Sequence, residues 1–170
     1  GVLDRWLAQG ALPTRTLPFS PLAALHPGHL GSPFALALEA QGHRARDGLG
    51  GYAGQLAPGF ELALQSGDLV ALDWWFARVP ELVQKVPPSR AQQLSWVPLA
   101  RALTPGFIPD VAQRDRIVTH LLARGADPWQ RLPHDPAQSV LGFARAIGSP
   151  QLALLQAPRP VPVALARAAD

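Results

Sequence analysis

The sequence predicts an all-α fold, a solenoid of stacked helix pairs with long irregular loops, and three observations carry that prediction. A twelve-residue phrase occurs three times, as VLDRWLAQGALP from Val2, ALDWWFARVPEL from Ala71 and IVTHLLARGADP from Ile117. Apolar residues fill its first, second, fifth and sixth places, which on a 3.6-residue helix form one stripe able to pack on a neighbour. A second phrase precedes the later copies or stands where one is expected: SPFALALEAQG from Ser32, PGFELALQSGD from Pro58, SWVPLARAL from Ser95 and SVLGFARAIGS from Ser139. Glycine follows the helical part of two copies of the first phrase, where a helix closes in a left-handed turn. The pairing therefore reads helix, tight turn, helix and loop, and because no single pair can bury its apolar face alone, neighbours must stack.

These phrases resemble the ankyrin repeat, whose pattern is TPLHLAxxxG, an apolar second helix and then GADP. Ser139, Leu141, Phe143, Ala144 and Gly148 fall on that pattern without a gap, as do Phe60, Leu62, Ala63 and Gly67. Gly125-Ala126-Asp127-Pro128 matches its closing tetrapeptide. The pattern's starts at Ser32, Pro58, Ser95 and Ser139 lie 26, 37 and 44 residues apart, where regular ankyrin repeats keep about 33. The repeats are thus degenerate, and the resemblance implies a single ankyrin-like domain over residues 1–170 with units near 1–31, 32–57, 58–94, 95–138 and 139–170.

Taken in order, residues 2–10 read as the second helix of a first unit, so the chain begins inside a repeat, either trimmed or atypically capped. Pro13, Pro18, Pro21 and Pro27 make the stretch from Ala11 to Gly31 an irregular excursion. A first helix is expected over 33–41, but the second helix of that unit fails. Gly48, Gly50, Gly51 and Gly54 are too dense for a helix. The most regular unit follows, with helices near 59–66 and 69–77 and one further turn over 82–86 before Pro87-Pro88. A helix near 95–103 leads into TPGFIPDVAQR, where Pro105 and Pro109 forbid a smooth continuation. Helices near 114–124, 139–147 and 150–156 complete the stack, with the finger GADPWQRLPHDPAQ between the first two. Residues 158–162 are too proline-rich for a helix, and 163–169 can form a short one.

Composition bounds the function. An apolar fraction of 48% in 170 residues suffices for one continuous core. The absence of cysteine excludes disulfides and thiolate metal sites. No apolar run approaches the roughly 18 residues of a membrane span, and the N-terminus lacks a secretory pattern, so a soluble cytoplasmic protein is expected. Net charge is only +3, from fourteen arginines and one lysine against twelve acids. That arginine bias, with abundant Ala, Gly, Pro and Leu, is the composition expected of a GC-rich bacterial genome.

Several side chains invite a chemical reading. His26 and His29 are spaced as half a metal site, but no third ligand completes it and Pro27-Gly28 is itself a turn signal. His134-Asp135 has the form of a general-base pair without a placed nucleophile, so finger polarity accounts for it. The segment from Gly48 to Gly54 lacks the Lys-Ser/Thr of a phosphate loop and reads as a connector, in which Tyr52 can be presented to a partner. Arginine beside aromatic residues can stack on bases, yet acids interrupt the arginines, as in Arg114-Asp115-Arg116, and a mixed-charge face fits better than nucleic-acid binding. Trp6 and Trp75 fall on the apolar stripes of their helices and are assigned to the core. Trp74 points about 100° away and is expected to be partly exposed. Trp129 stands where ankyrin fingers usually carry a small polar residue, and tryptophan is enriched among binding hot spots.

The resemblance implies a surface for binding another protein, on the concave side built from finger tips and first-helix faces. Its candidate residues are Trp129, Arg131, His134 and Asp135, then Arg15, Glu61, Gln65 and Arg101, with the exposed side of Trp74 as a further candidate. No cofactor, metal or catalytic residue is expected, and the protein is read as no enzyme. The specific expectation is a bacterial immunity or antitoxin-like protein that binds and neutralises a cognate toxin or secreted effector. The alternatives are an intracellular scaffold or adaptor and, third, an enzyme with a diverged site in the glycine-rich segment.

Overall fold

The computed structural model describes residue 22 and residues 25–48, 58–86 and 96–157. The expected helix over 2–10 with Trp6, the part of the first excursion that holds Arg15, most of the glycine-rich segment with Tyr52, and the tail from Pro158 all lie outside the described residues.

Among the described residues there are seven α-helices: α1 Pro33–Ala40, α2 Pro58–Ser66, α3 Leu69–Arg78, α4 Pro98–Leu103, α5 Val111–Ala123, α6 Val140–Ala146 and α7 Leu152–Gln156. Short 3-10 turns cover Pro27–His29, Ala45–Gly48 and Pro80–Val83. The chain is mostly helical with one addition to the all-α expectation, a two-stranded antiparallel hairpin of β1 Arg131–Leu132 and β2 Asp135–Ser139.

Local chemistry sets the helix starts. Ser32, Asp68, Asp110 and Ser139 each accept a hydrogen bond from the backbone N–H three residues on, at 3.3, 2.9, 2.6 and 3.0 Å. Such a cap satisfies one of the N–H groups that a helix leaves unpaired at its start. The Asp110 cap moves the start of α5 to Val111, three residues before the expected start at 114. The expected start of α4 at 95 is likewise corrected to Pro98. Trp96 is held in extended backbone by an antiparallel bridge to Val86, with N···O distances of 2.8 and 3.2 Å. Pro98 then occupies the first helical turn, where its missing N–H costs nothing.

Packing follows the pairing in the sequence. α2 contacts α3, α4 contacts α5, and α6 contacts α7; α2, α4 and α6 touch in succession, and α5 touches α7. One continuous core runs from Ala45 to Leu155 through these helices. Phe60 stands at its centre, with ring centroids 6.1 Å from Trp75, 5.9 Å from Phe76 and 5.9 Å from Trp96. Leu22, Ala35 and Leu38 form a second, smaller cluster. Trp74 packs against both clusters and carries the Arg78 guanidinium 3.9 Å above its ring.

Polar contacts tie neighbouring helices together. Arg78 of α3 forms a two-pronged pair with Glu39 of α1, whose outer contact is 3.0 Å. Asp73 of α3 receives His120 Nε2 at 2.7 Å and Arg124 Nη2 at 2.6 Å from α5 and its C-terminal end. Gln151, which leads into α7, is fully buried. It donates to Asp115 Oδ1 at 2.8 Å and accepts from Ser149 Oγ at 3.0 Å, so its burial leaves no polar group of the amide wanting.

Candidate protein-binding surface

The surface that the sequence singles out begins at the end of α5. Gly125 adopts φ +94°, a left-handed conformation that a side chain would strain, and turns the chain out of the helix. Ala126 is buried behind it. Asp127 Oδ1 then accepts the Trp129 N–H at 2.9 Å, and the Gln130 N–H reaches the Asp127 carbonyl at 3.1 Å. Two further bonds fasten this turn to α6, from Leu141 N–H to the Pro128 carbonyl at 2.8 Å and from Val140 N–H to the Gln130 carbonyl at 3.0 Å. The turn is also held from the segment that follows α3. Gln84 accepts the Asp127 N–H at 3.3 Å and donates to the Gly125 carbonyl.

Trp129 is thus displayed from a well-anchored turn, and its side chain is 67% exposed. It borders a depression of about 490 Å³ with Leu141, Arg145 and Leu155.

The hairpin that follows uses two of the candidate residues for itself. Arg131 donates to the Ala137 carbonyl at 2.7 Å, and Asp135 accepts the Ala137 N–H at 3.2 Å, so both side chains close the hairpin. His134 stands exposed in the two-residue connection. It borders a separate groove of about 180 Å³ between the hairpin, α4 and α6, whose other walls include Trp96, Val97, Arg101, Leu132 and Phe143. Arg101 enters this groove from α4 while holding Glu61 of α2 at 2.9 Å and lying 4.4 Å over the Phe107 ring.

The structure therefore brings Glu61, Arg101 and His134 to one face and places Trp129 on a different depression. Gln65 is exposed on α2, and its backbone carbonyl is taken by Gln113 at 3.0 Å. Trp74 is half-buried under Arg78 and serves the contact between the two core clusters. Arg15 lies outside the described residues. The sequence reading missed the aromatic walls of the groove, Trp96 and Phe143. A signal existed: Leu62, Arg101 and Phe143 each precede a fully buried alanine, Ala63, Ala102 or Ala144. The three residues thus occupy one equivalent place on α2, α4 and α6, and Leu62 there is 43% exposed.

The His26–His29 pair forms a turn. His26 Nδ1 accepts the Gly28 N–H at 3.2 Å, and the two rings sit edge to face with centroids 6.2 Å apart. Among the described residues no cluster of three or more His, Cys, Asp or Glu is placed to hold a metal ion, and no helix is long and apolar enough to cross a membrane. Comparisons of the chain with protein-family models, with curated proteins and with solved structures each gave no match.

Proposed function

We propose that this chain is an ankyrin-like interaction module whose partner is another protein, a cognate toxin or secreted effector that it neutralises by covering it. The observation that carries the reading is Trp129, a large indole 67% exposed on a turn fixed by Asp127, Gln84 and the start of α6. Ordering a flexible loop at an interface costs conformational entropy, and a turn already held in place has met the backbone share of that cost before binding. Tryptophan is also among the residue types that dominate binding energy at protein interfaces. The succession of contacts among α2, α4 and α6 supports a stacked-repeat arrangement, which offers an extended face and no single catalytic cleft.

Capture with the full chain and with Trp129→Ala, from cells that encode the protein, tests this reading. One protein retained by the parent chain and lost with the variant is expected, at an unchanged thermal midpoint. Co-expression of that protein with the parent chain should then restore growth that the captured protein alone arrests. A captured set that does not differ between the two chains would refute the module reading. A Trp129-dependent partner without toxicity would leave the adaptor function in its place.

A further inference from the structure

The groove between α4, α6 and the hairpin differs in character from the Trp129 turn. Its walls are apolar, from Trp96, Val97, Leu132 and Phe143, and the ionisable groups that line it among the described residues, Arg101 and His134, are both bases. Two carboxylates adjoin these bases, and both are already engaged, Glu61 by Arg101 at 2.9 Å and Asp135, next in sequence to His134, by the Ala137 N–H at 3.2 Å. Arg101 spends one donor on Glu61, whereas a guanidinium carries five N–H donors. A volume of about 180 Å³ is close to the roughly 150 Å³ that holds one benzene ring in an apolar protein cavity.

We propose that this groove accepts one apolar or aromatic side chain of a partner protein whose neighbouring carboxylate is bound by Arg101, with His134 at the rim. The inference rests on the interaction-module reading and names the chemistry that one part of the face selects. Complementary charge would fix the register of the partner's segment, while the ring-sized depression supplies the apolar contact. Glu61 then acts as a tuning group. It draws on the same guanidinium as the incoming carboxylate and lowers the positive potential that the carboxylate meets.

Titration of the full chain, followed by backbone NMR shifts, tests this with 3-phenylpropanoate as probe and 3-phenylpropylamine as its charge-reversed counterpart. The acid is expected to move signals of residues 97–104 and 132–134 and to bind at least about fivefold more tightly than the amine, with the preference shrinking as salt rises. Arg101→Gln should abolish the preference, Arg101→Lys should keep part of it, and Glu61→Gln should strengthen binding of the acid. Arg101→Gln and Glu61→Gln break the same ion pair, so a purely structural effect would move affinity in the same direction in both. Opposite directions are the mark of a carboxylate site. Equal binding of acid and amine, acid shifts absent from the groove, or a parallel response of the two variants would overturn the proposal. Such a failure leaves Trp129-dependent capture intact, whereas loss of that capture strikes the module reading first.

Discussion

Replacing Gln151 by alanine should be among the most damaging single changes in the chain, although the residue carries no charge. Its amide is fully buried and makes two side-chain hydrogen bonds, one to the Asp115 carboxylate at 2.8 Å and one from Ser149 Oγ at 3.0 Å. A hydrogen bond to a charged group contributes about 1.5–3 kcal/mol and a neutral one about 0.5–1.5 kcal/mol, so the two together amount to roughly 2–4.5 kcal/mol. The void left by the shortened side chain adds to that loss. For a domain of this size each kcal/mol shifts the thermal midpoint by about 2–4 °C, so a loss of 3 kcal/mol corresponds to roughly 6–12 °C. Urea unfolding of Gln151→Ala, Asp115→Ala and the double variant gives the coupling between the two residues directly. The midpoint should fall without a change in slope, and the coupling should be about 1–3 kcal/mol. A loss below about 1 kcal/mol, or a coupling near zero, would show that the Gln151–Asp115 bond does not fasten α7 to α5 and that the account of this buried amide is wrong.

Ala63→Leu and Ala144→Leu enlarge fully buried sites on α2 and α6, and each should destabilise by about 1–3 kcal/mol through overpacking; an unchanged urea midpoint in either would contradict the helix contacts drawn here. Leu121 is fully buried and Leu122 only half-buried, so Leu121→Ala should cost about 2–5 kcal/mol and Leu122→Ala clearly less, which parallel chemical denaturation can rank. Gly125→Ala forces a side chain into φ +94° with open space around it, so its cost of about 1 kcal/mol or more should come from backbone strain and appear in calorimetry without any loss of core packing.

The sequence made the helices legible because their signals are local. Ser139 followed by an apolar run, or Gly67 and Gly125 after one, announces a start or a stop with no knowledge of the neighbours. The start of α5 lies three residues ahead of the expected one because Asp110, just past the break at Pro105 and Pro109, caps the helix through the Gln113 N–H. The hairpin was legible only as a finger. Pro133 and Pro136 argue against strands, and a two-stranded ribbon tolerates them because its outer edge needs no donor. The candidate surface was legible in the same measure. Trp129 is legible from its residue type directly after Asp127-Pro128, whereas the Glu61–Arg101 pair joins residues 40 apart and exists only because α2 and α4 lie side by side. Trp96 and Phe143 were hidden for a related reason. Whether an aromatic residue ends as core, like Trp75, or as groove wall, like Trp96 and Phe143, is set by what packs opposite.

Gln84 has a consequence for how such a chain can be rearranged. By bonding both the Gly125 carbonyl and the Asp127 N–H, its amide takes the role that a neighbouring strand's peptide group would play, and it joins the loop after α3 to the loop after α5 like a strut. The spacing between those loops is therefore written in one side chain and not in a shared backbone ladder. The α2–α3 helix pair is consequently not a freely interchangeable part. A chimaera that grafts the α2–α3 unit onto a different successor must also bring a turn that offers one acceptor and one donor at that spacing, and a glutamine lost from the 3-10 turn after α3 would unfasten a loop some forty positions downstream.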